Sequence, residues 1–332
     1  MRAGIRSAEP SSEVLKSHNN ACSIGGIKIL SLGLISHLIY GVGPKEHALA
    51  TLKNATRDDL SRLLDLFPLS TLKEEWTHLK GTKEEICLQI ASQPDEARIV
   101  KFIMANFTRC RLHTYIFHPR TEDHKDLEAA LKDVDSIGPA GGGDRFFLGE
   151  AKFTVLVRNP DFKQVEVSLL WPMRVQYLKG ATLINFIVLE RDVKTLFDGE
   201  VLNVRRQIEE KSIVEAIRFN QYAPLDLNKG VKALWAQDLM DAFKTKFKKT
   251  RSTTTESMDK EKGIKATDPE LYKDMQLRPM FETMFRVAPK AGSAVEVFQV
   301  NPTDGIIKMT RYTERPGDSN ELVGKILQAN SQ

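Results

Sequence analysis

Five of the eight residues from Lys244 to Arg251 are basic, in the order Lys-Thr-Lys-Phe-Lys-Lys-Thr-Arg. Between Phe243 and Lys265, eight Lys/Arg stand against three Asp/Glu, a local charge of +5 in a chain whose total is only +4. The cationic excess is therefore focal, and the chemistry it offers is anion binding. Lys244, Lys246, Lys248, Lys249 and Arg251 would neutralise phosphates, releasing counterions from a nucleic acid, or would meet the carboxylates of an acidic protein. Hydroxyl groups from Ser252 to Ser257 follow directly. A structural reading competes with this one. If the run forms the last turns of a helix, its ammonium groups complement the macrodipole by a few tenths to about 1 kcal/mol and need no ligand.

Three other constellations have residue types that do chemistry. Glu150-Ala151-Lys152, preceded by Asp144 and the apolar Phe146-Phe147-Leu148, resembles the acid and Glu-x-Lys pattern of restriction-type PD-(D/E)xK nucleases. The resemblance implies Mg²⁺ held by Asp144 and Glu150, with Lys152 positioning the attacking water. It rests on three common residues, and Phe153, Val155 and Val157 continue as an ordinary sheet strand would. Cys110, His113, His118 and His124 lie within 15 residues and are metal-ligating types. On a strand, however, Cys110 and His113 point to opposite faces, so a metal site is not expected, and no cofactor is. Gly138–Gly143 has neither the lysine of a phosphate-binding loop nor a dinucleotide spacing, and reads as a connector. Gly81-Thr82-Lys83, within Leu60–Ile90, resembles the second half of the SAP motif, which would imply DNA contact. Glu74, Glu75 and Trp76 stand where that module has small or basic residues, and a structural helical hairpin is the stronger reading.

The elements that position these residues follow from periodicity and caps. Residues 45–108 read as a small helical bundle. Asp58-Asp59-Leu60 opens an apolar series, Thr71–Glu74 and Thr82–Glu85 have the capping-box form, and Pro94 suits a first helical position. Leu112–Phe117 reads as a strand and Asp123–Val134 as a helix. Phe146–Val157, Gln164–Trp171, Arg174–Leu178 and Thr182–Leu189 are strand-like runs with short turns between them, which forces antiparallel neighbours. Helical spacing returns over Glu200–Arg218. It returns again after Asn228, where Trp235, Leu239, Phe243 and Phe247 recur every fourth residue and would place the basic run at a helix C-terminus. Arg251–Ala266 is polar and reads as a loop. Asp268-Pro269-Glu270 starts a helix, Val295–Val300 and Ile306–Tyr312 form a hairpin, and a last helix covers Ser319–Leu327. The class is α+β: a helical bundle, then an antiparallel meander flanked by helices, then a hairpin and helix.

Composition sets the outer bounds. With 41% hydrophobic and 28% charged residues over 332 positions, the chain is long and apolar enough to fold. Three scattered cysteines argue for a reducing compartment, cytoplasmic or nuclear. The uncharged run Ile29–Pro44 is 16 residues long, short of the ~20 apolar residues of a membrane helix, so residues 1–44 read as a partly disordered leader and no membrane role is expected. The domain reading is then 1–44, 45–108 and an α+β body over 109–332. The expected function is non-catalytic binding of nucleic acid or another polyanion. The alternatives are a protein-interaction adaptor acting through residues 45–108 and a Mg²⁺-dependent nuclease.

Overall fold

A computed structural model describes residues 55–332, apart from 119–136, 142–144, 160, 198, 207–209, 220–221, 249–253, 259–261, 294 and 316. The leader and the helix expected over Asp123–Val134 lie outside the described residues.

Helix α1 (Arg57–Asp65) starts at Thr56, whose hydroxyl and the Asp59 carboxylate each accept from the other residue's backbone amide. Helix α2 (Leu69–Glu75) follows Pro68 with no side-chain cap, so the Thr71–Glu74 box does not form. Buried Arg109 takes both groups instead, donating from Nη1 to Thr71 Oγ1 at 2.9 Å and to Glu74 Oε2 at 2.8 Å. The helix starts two residues before Thr71, so the Glu74 amide is not one of its orphan donors. Helix α3 (Lys83–Ala91) carries the Thr82–Glu85 box as expected. Helix α4 (Glu96–Asn106) is capped by Asp95, whose carboxylate accepts from the Arg98 amide, so Pro94 lies before the helix and not at its first position.

Cys87 on α3 is fully buried. That burial, aided by the charge of Asp65, pushes its thiol up to about 12. A thiolate-directed alkylating reagent is therefore expected to leave Cys87 unmodified in the native protein at mildly alkaline pH and to label it only after denaturation. Mass spectrometry of labelled peptides checks this. Native labelling at the unfolded rate would contradict it.

The sheet is built from β1 (Leu112–Phe117), β2 (Ile137–Gly141), β3 (Arg145–Asn159), β4 (Asp161–Leu178) and β5 (Ala181–Ile187). Helix α5 (Glu190–Thr195), β6 (Glu200–Arg206), α6 (Glu210–Phe219) and α7 (Asn228–Ala236) come next. Then follow β7 (Met240–Lys248), β8 (Thr254–Met258), α8 (Ile264–Thr267), α9 (Pro269–Leu277), β9 (Thr283–Val287), β10 (Val297–Asn301), β11 (Ile306–Met309) and α10 (Asp318–Ser331). The spatial order is β2-β3-β4-β5-β1-β11-β10-β9-β7-β8, with β6 also paired to β3, eleven strands among the described residues. The ladders are antiparallel throughout. The α+β class, the β3–β4–β5 meander, the C-terminal hairpin and the last helix are as the sequence led one to expect.

Several boundaries are corrected. Gly138–Gly141 is not a connector but pairs with β3 as part of β2. Pro172 does not split β4, because β5 pairs only from Met173 onward and leaves Pro172 outside that ladder. Glu200–Arg218 is strand β6 followed by helix α6, and the helix from Asn228 ends at Ala236, so the basic run lies on strand β7. The polar stretch Arg251–Ala266 contains β8 and α8.

Each of two misread segments contains a bulge. In β6 the register shifts so that Val204 and Val201 oppose Val155 and Val157 while Leu202 is the extra residue. In β7 Phe243 is extra between Ala242 and Lys244, and Ala242 and Thr245 are both buried. In β6 the bulge turns the strand's step of two into a step of three, which in the sequence looks helical. In β7 the helical look came from Leu239, Phe243 and Phe247, four apart, of which Phe243 is the bulged residue.

Buried side chains form two clusters. One joins α1 to α6 with β1 and β3 to β5; the other joins α7 to α10 with β7 and β9 to β11. On the central strands successive residues divide between them: Tyr115 and Phe117 go to the first, Ile116 to the second, Ile184 and Phe186 to the first, Leu183 to the second. The clusters thus cover opposite faces of the sheet centre. On the second cluster's face runs a polar chain, with the Thr114 hydroxyl donating to Asn185 Oδ1 at 2.7 Å and Asn185 Nδ2 donating to Gln176 Oε1 at 3.0 Å. Gly230 lets α7 close on α10: its amide donates to Asn330 Oδ1 at 2.8 Å, and a Cβ there would run into the Ile326 carbonyl oxygen. Among the described residues no helix is long and apolar enough to cross a membrane.

Candidate anion-binding face

Strands β7, β9, β10 and β11 bury Ala242, Phe285, Phe298, Val300, Ile307 and Met309 on one face. Alternation sends the intervening residues to the other face. There, pairing sets Lys244 opposite Met284, Met284 opposite Gln299, Gln299 opposite Lys308, and Lys308 opposite His113, giving one row across the strands. All five side chains are half-buried. Lys246 follows two residues along β7, about 6.8 Å on, and Lys308 stands three strand spacings from Lys244, about 14 Å.

The electrostatics of this face are cationic but not unopposed. The Lys246 ammonium donates to Glu282 Oε2 at 2.7 Å. That bond, together with the charges of Lys246, Lys308 and Lys244, holds the Glu282 carboxyl below the usual carboxylate range despite its partial desolvation. Three lysines from two non-adjacent strands therefore act on one carboxylate. Register places Glu256 of β8 opposite Lys246 as well. The Arg286 guanidinium lies 5.6 Å from the Phe243 ring centre, an exposed cation–π contact.

Of the cations nominated by the sequence, Lys244 and Lys246 thus stand on this face, Lys248 lies on β7 opposite Thr254, and Lys249 and Arg251 fall outside the described residues. Because Lys244, Lys246 and Lys248 lie on a strand, the helix-dipole explanation does not apply to them. Lys308 was missed by sequence reasoning, being 62 positions from Lys246. The only local signal is its place as the charged residue within Ile-Ile-Lys-Met.

The other candidates fall only partly within the described residues. Glu150 and Lys152 are both on β3, and Asp144 lies outside the described residues. Cys110 is buried, His113 Nδ1 is 2.7 Å from Glu210 Oε2, and the His118 amide donates to the Ala223 carbonyl. His124 is not among the described residues, and no group of three or more His, Cys, Asp or Glu placed to hold a metal occurs among those that are. The hydrogen bond from Tyr115 to the same Glu210 oxygen, at 3.4 Å, ties β1 to α6. No protein-family model, curated protein or solved structure matches the chain.

Proposed function

We propose that this protein binds a polyanion, with nucleic acid as the favoured ligand, through the half-exposed face of β7, β9, β10 and β11, and that it binds without catalysing a reaction. The observation that carries the reading is the register that sets Lys244 and Lys308 in one row across β7, β9, β10 and β11, with Lys246 two residues along β7. Clustered cations of this kind position a phosphate backbone without reading its sequence, so affinity should be salt-dependent and only weakly sequence-selective. Filter binding of the intact protein to single- and double-stranded oligonucleotides in low salt tests it. Retention that disappears with added salt is expected, and no retention of either form would refute it.

Glu282 gives a second test. Its lowered carboxyl value means it stays ionised at neutral pH, where it offsets the lysines. Its contribution to stability is present above its unfolded value and is lost as pH falls through the folded one, below the ordinary carboxylate range. Glu282→Gln is therefore expected to tighten polyanion binding severalfold at neutral pH, with little loss of stability because the pair is about half exposed. The gain over wild type should shrink as acid protonates the native carboxylate. Weaker binding by the variant would contradict the assignment.

A further inference from the structure

A second open surface lies on the other half of the sheet and owes nothing to the lysines of β7. The outer face of β4, β3 and β6 encloses about 510 Å³, lined by Thr154, Leu156, Gln164, Asn203 and Arg205. On the opposite side of the same strands Phe153, Val155 and Val167 are buried, so these strands are anchored and the groove is built on rigid elements. The bulge at Leu202 increases the local bend of β6 and gives the surface its curvature.

Register orders the groove into two rows. In the first, Gln164 and Asn203 both oppose Leu156, one from each neighbouring strand; in the second, Arg205 and Glu166 oppose Thr154 in the same way. The rows are two residues apart, about 6.8 Å. Among the described residues, none of the side chains of Thr154, Gln164, Asn203 and Arg205 has a hydrogen-bond or ion-pair partner in the protein. Each carboxamide offers a donor beside an acceptor, the arrangement that matches the edge of a nucleobase. Leu156 between them is an apolar floor for the flat face of a ring. A guanidinium takes a phosphate through two parallel bonds, and the Thr154 hydroxyl adds a third donor.

We propose that this groove binds a nucleoside monophosphate, with its base over Leu156 between Gln164 and Asn203 and its phosphate on Arg205 and Thr154. The row spacing suits a ring and a phosphate joined through a sugar. Arg205 is the one cation among the described residues that line the groove, so the β- and γ-phosphates of a triphosphate meet no second cation there and a monophosphate is preferred.

The test is calorimetric titration of the full chain with AMP, GMP, CMP and UMP, with ATP, adenosine and inorganic phosphate as separate arms. One-to-one binding of at least one monophosphate is expected, with ATP binding more weakly and with adenosine and inorganic phosphate at least about tenfold weaker. Arg205→Ala should weaken that binding at least about tenfold, and Asn203→Ala or Gln164→Ala should alter the order of preference among bases. Arg205 is exposed, so an unchanged melting temperature will show that its variant folds. The variant Lys244→Glu/Lys308→Glu should bind the monophosphate as wild type does. The proposal is overturned if no monophosphate binds at millimolar concentration, if inorganic phosphate binds as tightly, or if ATP binds more tightly. It also fails if Arg205→Ala retains full affinity, if the carboxamide variants keep the same base preference, or if the lysine variant alone loses binding. These outcomes are separate from failure of the polyanion reading, which concerns oligonucleotides and the other half of the sheet.

Discussion

Reversing Lys244 and Lys308 together, as Lys244→Glu/Lys308→Glu, is expected to lower oligonucleotide affinity by about a hundredfold in low salt. The figure follows from two charge-assisted contacts at about 1.5 kcal/mol each, each close to a factor of ten. Lys246 is left in place because its ammonium pairs with Glu282, and a glutamate there would set two carboxylates against each other. The two reversed positions are half-buried on one sheet face, so circular dichroism should show an unchanged fold. Affinity within about threefold of wild type, in protein that remains folded, would remove the face from consideration.

The largest loss of stability is expected at Trp235. Its ring is fully buried and meets Tyr272 of α9 edge-on at 4.9 Å and Phe285 of β9 at 5.5 Å. Its indole N–H donates to Asp241 Oδ1 at 2.7 Å, and the Lys265 amide donates to the same oxygen at 3.4 Å. One side chain thus ties α7, α8 and α9 to the strand that carries Lys244 and Lys246. Trp235→Ala should destabilise by about 3–5 kcal/mol through the cavity it leaves. Trp235→Phe keeps most of the packing and withdraws one donor from Asp241, which costs about 1–2 kcal/mol. Urea titrations should show lowered midpoints with an unchanged slope. An alanine variant within about 1 kcal/mol of wild type would contradict this account of the second core.

How much of this was readable in the chain depends on whether a signal was local. The Thr82–Glu85 box, the Asp268 cap and the turn between β10 and β11 were legible because each is decided within a few residues. In that turn Asn301 donates to Asp304 and Gly305 takes a positive φ of 65°. Strand alternation in β1 and β3 was legible for the same reason. The Thr71–Glu74 box failed because the helix already begins at Leu69, after Pro68, which leaves Thr71 and Glu74 inside it and free to bond to Arg109, distant in sequence. The helix expected over Glu200–Arg206 failed because the bulge at Leu202 sets Val201 and Val204 three apart. The helix expected through Met240–Lys248 failed because the row Leu239, Phe243 and Phe247, four apart in the sequence, runs through a strand whose bulge falls at Phe243.

The candidate face was legible only in part. The basic run named Lys244 and Lys246, but their neighbours come from pairing that no local pattern encodes. β9 lies in a segment that the sequence pattern does not single out, and without β9 and β10 between them nothing brings Lys308 near β7. The groove on β3, β4 and β6 was illegible for a related reason: Gln164, Asn203 and Arg205 are ordinary exposed polar residues until β6 is known to pair with β3.

The most direct measurement is the salt dependence of oligonucleotide binding by wild type and Lys308→Ala. Lys308 has no place in the basic run and joins it only through the sheet order. If it contacts a phosphate, the slope of log affinity against log salt should flatten by about 0.7 for a single strand or 0.9 for a duplex, with weaker binding at every salt concentration. Identical slopes and affinities for the two proteins would show that the anion does not cross these strands.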